Sequence, residues 1–243
     1  MHPSSAAQLW RDRVRPYLQH QWRAWRGYVL FFCFVWVPLR SSVIDYSPVP
    51  TGSMNPTILE GDVVWVDKLA YDLRVPLTPW SLQHRADPKR GDIIVVLSPA
   101  AERTRLVKRV IGIPGDTLAM HGQQLYLNGE AVTYQAPGSD YGSMIAEELR
   151  PHAYFAEEHL PDRPEHAVMG LRIRVARQDW GPVTVPPGKL FLMGDSRDNS
   201  TDSRRFGFAD RNDVLGQAKG VLLSWDINDT YLPRWQRWLE PLR

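Results

Sequence analysis

Cysteine is nearly absent from this sequence. Cys33 stands alone among 243 residues, so neither a disulfide within the chain nor a cysteine-built zinc site can form. An excess of one charge is missing too. The 29 Lys and Arg residues face 27 Asp and Glu, a net charge of +2, which removes any whole-protein electrostatic case for nucleic acid. Lysine itself is scarce: Lys68, Lys89, Lys108, Lys189 and Lys219 are all there are. The chain has no internal repeat, no low-complexity tract and no G-x-S-x-G serine elbow.

What is present suffices for a folded protein. Hydrophobic content is 43% and charged content 23%, enough for one sizeable core or a core with a smaller lobe. One apolar segment, YVLFFCFVWVPL (28–39), carries no charge. A membrane span needs about 20 residues. Extended from Gly27 to Ile44, with Arg40 snorkelling to the interface, the segment reaches roughly 27 Å at about 1.5 Å per residue. Trp22, Trp25 and Tyr46 flank it as interface anchors would. Arg11, Arg13, Arg15, Arg23 and Arg26 precede it against a single Asp12, which places the N-terminus in the cytoplasm and the remainder outside. No small-x-small cleavage site follows, so the expectation is a retained anchor, ahead of a buried soluble helix or a removed leader.

Beyond Tyr46 the pattern is β. DVVWVDKL (62–69), DIIVVLS (92–98), LVKRVIG (106–112), LRIRVAR (171–177), KLFLMGD (189–195) and KGVLLSWDI (219–227) read as strands. QLYLNGEAV (124–132) carries Asn128-Gly129 between two runs and reads as a hairpin. EELRPHAYFAEEH (147–159) is a weak helical signal that Pro151 interrupts. Residues 133–170 show little periodicity and read as loop-rich decoration on a peripheral lobe.

VPTGSMNPT (49–57) offers a serine at a sharp bend. Gly52 permits the turn before Ser53, and Pro50 and Pro56 stiffen its flanks. A nucleophilic serine needs a base. Of the seven histidines, His2 and His20 precede the apolar segment, and His84, His121, His152, His159 and His166 fall in polar, turn-like stretches that read as solvated surface. Lys108 differs. Strand alternation puts it between Leu106 and Val110 on one face, where burial disfavours its charged form. A neutral Lys108 could take the proton of Ser53; the same pattern also fits an edge-strand lysine snorkelling to water. MGDSRDNSTDSRRFGF (193–208) alternates Asp195, Asp198 and Asp202 with Arg197, Arg204 and Arg205. It reads as a tight polar loop with internal ion pairs, either structural or orienting a catalytic group. It lacks the spacing and closing glutamate of a calcium loop, and three arginines oppose a cation.

VPTGSMNPTILEGD (49–62), RGDIIVVL (90–97), LVKRVIGIPGD (106–116) and the 193–208 loop, in this order behind an apolar segment, resemble the type I signal peptidases. The resemblance implies a membrane-bound serine protease that removes signal peptides from exported proteins after small-x-small motifs, with no cofactor and no metal. It implies Ser53 as nucleophile, Lys108 as general base, and the Ser53 N–H with the Thr51 hydroxyl as oxyanion hole. It assigns Ser200 to holding the lysine amine, and Asp195 with Arg109 and Asp202 with Arg204 to supporting ion pairs. Val49, Met54, Ile58, Leu106 and Val107 would line the substrate cleft and its two small pockets. The family usually carries serine where Thr51 stands.

The expected fold is mainly β: an antiparallel catalytic core with an inserted smaller β/loop lobe, behind one N-terminal transmembrane helix. Its parts are a cytoplasmic segment (1–26), an anchor (27–45), the first part of the core (46–118), the inserted lobe (119–184) and the second part with the C-terminal segment (185–243). The expected partners are preprotein signal peptides and the lipid bilayer of a bacterial inner membrane, with a periplasmic catalytic domain and no nucleic acid. TYLPRWQRWLEPLR (230–243) reads equally as an interfacial foot or an ordinary amphipathic end. A dedicated maturation peptidase with one substrate and an inactive membrane-anchored binding module are the rival readings.

Overall fold

In a computed structural model, residues 10, 15–78, 80–100, 104–173 and 179–242 are described. An antiparallel sheet of eight strands forms the centre. Its order in space is Ile44–Pro48, Asp62–Asp67, Val214–Ser224, Ile93–Leu97, Arg105–Gly112, Lys189–Met193 and Ala209–Asp210, and Glu240–Pro241 adds to Val214–Ser224. IIVVL is buried on both faces because two clusters cover the sheet. Ile93 and Val95 pack with Val49, Met54, Ile58, Val64, Val66 and Val107, whereas Ile94 and Val96 pack with Tyr71, Val110 and Leu192. Val214–Ser224 slips register at three places, and such bulges bend a strand enough to serve neighbours on both sides.

Two further sheets interrupt this centre. Arg105–Gly112 and Lys189–Met193 are paired neighbours, yet the chain between them builds both. Thr117–His121, Gln124–Leu127, Glu130–Ala131 and Trp180–Thr184 form one; Thr133–Gln135, Ala153–His159 and His166–Leu171 form the other. The expected hairpin is present, with Asn128 and Gly129 at φ 54° and 87°, as a tight two-residue turn requires. A cluster including Ile111, Leu118, Leu125, Trp180 and Phe191 joins the four-stranded sheet to the centre.

Residues 133–170 correct the loop-rich expectation. Their three strands are short, and His166–Leu171 is buried on both faces, so alternation had nothing to report. The weak helical signal resolves into a 3₁₀ segment, Glu147–His152, and then a strand, because Pro151 prevents an α-helix from continuing. The strand expected at 171–177 ends at Leu171; Arg172 and Ile173 turn, and 174–177 lie outside the described residues.

The N-terminal helical run comprises Arg15–Phe31, a π-helical turn at Phe32–Trp36, and Val37–Ser42. Among the described residues no helix is long and apolar enough to cross a membrane. Arg15, Arg23 and Arg26 polarise the first helix, and the apolar residues fall across the π turn. The helix stops at Ser42, short of the expected 45, because Ile44–Pro48 joins the sheet. Arg40 turns inward: it pairs with buried Asp45 and lies 4.3 Å over the Tyr46 ring. At the other end, Arg237 and Arg234 reach buried Asp62, at 2.8 and 3.6 Å. Those two arginines of the C-terminal segment therefore brace the fold, while Trp235 stays exposed.

Candidate active site

Ser53 sits in a 3₁₀ turn, Gly52–Met54, entered from extended Thr51. Met54, fully buried in the core beside Ile58, fixes this turn from below. Lys108 comes from the middle of Arg105–Gly112 and is 3% exposed. Its Nζ donates to Ser53 Oγ at 2.7 Å and to Val107 O at 3.0 Å. Burial lowers the lysine pKa to about 8, although the charges of Asp202 and Asp195 pull it back up. The snorkelling alternative is thereby excluded: the amine is buried against Ser53, not raised to water.

The polar loop after Met193 encloses this pair. Asp195 accepts two bonds from Arg109, both 2.8 Å, and a third from Thr57 Oγ1 at 2.6 Å. Burial pushes the Asp195 carboxyl up, but the Arg109 charge and bonds outweigh it and the net shift is downward. Asp202 receives Arg204 through 2.9 and 2.7 Å bonds and the Gly194 N–H at 3.0 Å, and its pKa also falls despite burial. Ser196 N–H donates to Ser53 O at 3.2 Å, tying the loop to the serine turn. Gly194 permits that approach, since a Cβ there would collide with Ser53 O and Ser200 Oγ.

One edge beside the pair is open. Ile93–Leu97 pairs with one side of Arg105–Gly112 from Arg105 to Arg109, but on the other side sheet pairing begins only at Arg109, opposite Met193. Among the described residues, Arg105–Lys108 has no strand partner there. An extended peptide could pair with this edge and bring its carbonyl to Ser53.

A family profile described as "Signal peptidase, peptidase S26" matches residues 22–225. The chain belongs to the signal peptidase family. A signal peptidase I of Pseudomonas aeruginosa is 34% identical over 216 residues, covering 84% of this chain and 74% of the relative. One from Pseudomonas fluorescens is 32% identical over 216 residues, with the same coverage. One from Rickettsia canadensis is 28% identical over 243 residues, covering 90% of this chain and 89% of that one.

In this chain the expected residues divide. Ser53, Lys108, Arg109, Asp195, Asp202 and Arg204 stand together as described. Val49, Met54, Ile58 and Val107 share one cluster, but Leu106 packs on the opposite face of its strand, against the cluster of Tyr71, Ile94 and Val96. Alternation along the strand dictates that separation. Ser200 Oγ is buried beside Asp202, whose pKa it helps to lower, and is not among the partners of the Lys108 amine, which bonds Ser53 and Val107 instead. Thr51 is exposed at the mouth of the turn. The loop's ion pairs are only partly internal: Asp202 stays within it, while Asp195 and Arg197 reach outside to Arg109 and Glu158.

Sequence reasoning missed Thr57, Glu158 and His166. Thr57 lies inside the quoted serine segment, four residues beyond Ser53, so its place beside the site was within reach. His166, read as solvated, is 5% exposed and lies 3.2 Å from Glu158 Oε2. Its neighbours Glu165 and Pro164 gave it a turn-like setting that concealed the strand it opens. Among the described residues no cluster of three metal-ligating side chains occurs.

Proposed function

We propose that this chain is a membrane-bound serine endopeptidase that removes N-terminal signal peptides from exported preproteins after small-x-small sequences. The observation that carries the reading is the 2.7 Å contact between Lys108 Nζ and Ser53 Oγ, made by an amine that burial renders weakly basic. Neutral Lys108 accepts the Ser53 hydroxyl proton as Oγ attacks the scissile carbonyl. The Thr51 hydroxyl and Ser53 N–H donate to the oxyanion. Collapse of the tetrahedral species expels the amine of the mature chain, which leaves with the proton from Lys108. Lys108 then deprotonates a water that cleaves the acyl-enzyme. Arg109–Asp195 and Asp202–Arg204 keep the surrounding loop in place, with Ser200 close by at Gly194. The signal peptide lies along the Arg105–Lys108 edge, its small side chains against walls that include Val49, Met54, Ile58 and Val107.

Residues 46–118 and 185–243 act as the catalytic unit in this reading, and 119–184 as an inserted lobe. The apolar stretch near Tyr28–Leu39 anchors the chain in a bacterial inner membrane, with the N-terminus cytoplasmic and the catalytic unit periplasmic. Exposure of Tyr28, Phe31, Phe34 and Trp36 among the described residues supports attachment to lipid. The test is cleavage of a preprotein in detergent by wild type, Ser53→Ala and Lys108→Arg. Both variants should be inactive, the second because arginine keeps its proton. Activity of either within about tenfold of wild type would remove that residue from the reaction.

A further inference from the structure

The three-stranded inserted sheet presents one polar row. Register places Tyr134 opposite Glu158, and Glu158 opposite His166. Side chains of directly opposed residues share a face, so the three meet at one point. Glu158 is fully buried there. Tyr134 OH donates to Glu158 Oε1 at 2.7 Å, and His166 Nε2 lies 3.2 Å from Oε2. A buried carboxylate needs a cation, and the cation comes from the loop beside the serine–lysine pair. Arg197 grips Glu158 with both terminal nitrogens, at 2.6 and 2.5 Å. Burial alone would raise the Glu158 pKa, but the Arg197 charge reverses this and the carboxylate stays ionised.

Backbone bonds run through the same junction. Arg197 N–H donates to Met169 O at 2.7 Å, and Met169 N–H to Asp195 O at 2.9 Å. Leu171 N–H donates to Asp198 Oδ2 at 2.9 Å. Arg204 Nη2 donates to Arg197 O at 2.6 Å while the same guanidinium holds Asp202. The loop therefore hangs between two supports: the inserted sheet through Glu158, and the central sheet through Arg109 and Ser53 O.

We infer that Glu158 is a positioning residue, which by clamping Arg197 holds the Gly194–Arg204 loop and, through that loop, keeps Lys108 dry against Ser53. This rests on the reading of Ser53 and Lys108 as the reacting pair. The inserted sheet is then part of the catalytic apparatus through this loop. With the clamp broken, the loop admits water to Lys108, and the amine regains basicity and loses its alignment.

The test compares wild type, Glu158→Gln, and the charge-free pair Glu158→Gln/Arg197→Gln, with Ser53→Ala as control. Preprotein cleavage is measured against pH, and folding by circular dichroism and thermal melting. In folded variants kcat should fall about tenfold or more while KM stays within about twofold. The acidic limb of the rate profile should move to higher pH by about half a unit or more. Glu158→Asp, which keeps the charge, should recover part of kcat and move the limb back. The paired variant removes the stranded Arg197 charge that can unfold the single one. A folded variant with wild-type kcat and limb overturns the inference, and so does loss of fold in both, which makes the clamp structural alone. Should Ser53→Ala still cleave, the reacting-pair reading itself fails, whatever Glu158 does.

Discussion

Between pH 6 and 9 the rate of preprotein cleavage at low substrate should climb about 90-fold along a single acidic limb centred near 8. The perturbation is proton loss from Lys108, whose pKa burial lowers from 10.5 to about 8. At pH 7 a lysine with that pKa is about 10% neutral, against about 0.03% for an unshifted one, so desolvation supplies roughly 300 times more base. The fold bears the cost. A shift from 10.5 to about 8, at about 1.4 kcal/mol per unit, destabilises the native state by about 3 kcal/mol at neutral pH. Between the folded and unfolded values the unfolded chain binds the extra proton, so this contribution to stability rises with pH from about 8 and the cost is gone above 10.5. The assay is kcat/KM for a purified preprotein in detergent across this range, since that ratio reports groups in the free enzyme. A limb in the histidine range or below, which vanishes on replacing one histidine, would identify histidine as the base. A limb above 10 would show that Lys108 is not dry in solution. Either result refutes the desolvation argument.

Further outcomes follow from the same geometry. Thr51→Val, nearly isosteric but without a donor, should lose about 10²–10³ in kcat with KM little changed, whereas Thr51→Ser stays near wild type; normal cleavage by the valine variant would place the oxyanion donors elsewhere. Gly194→Ala should lower both the melting temperature and kcat, because its Cβ meets Ser53 O and Ser200 Oγ, and an unchanged melting curve would show that the loop can yield. Arg109→Lys should lose activity although it keeps the charge, since one ammonium cannot reproduce the paired 2.8 Å bonds to Asp195; kcat near wild type would reduce that pair to simple charge balance. A reporter active only outside the cytoplasm, fused at the C-terminus, should be active in cells, and a silent reporter would reverse the proposed topology.

Legibility in the sequence followed local pattern. Asn128-Gly129 announced its hairpin because two positive φ angles are needed at adjacent residues and few dipeptides supply them. LVKRVIG announced its strand through branched residues, and Lys108 was conspicuous as a charge within it. Glu158 and His166 were not conspicuous. Their meaning lies in a pairing between strands and in Arg197, 39 residues away along the chain, and no local period encodes that. Ser200 shows the opposite limit: a matching motif brought the residue to the right loop without fixing which way its hydroxyl points. The helix end at Ser42 was hidden because apolar residues continue into Val43 and Ile44, where the chain has already become strand.

The insertion between two adjacent strands also favours one order of assembly. Arg109 and Asp195 touch in the finished protein but are separated by 86 positions along the chain. Bringing together the ends of a flexible loop that long costs about 4 kcal/mol in chain entropy, before any contact near Lys108 can repay it. Folding the two inserted sheets first shortens that loop to a few loose residues and removes most of the cost. Pulsed hydrogen exchange during refolding should therefore protect amides of Leu118–Leu127 before those of Leu190–Met193. The Gly194–Arg204 loop would then close over Ser53 and Lys108 only in the last stage, and until then the lysine amine would stay wet.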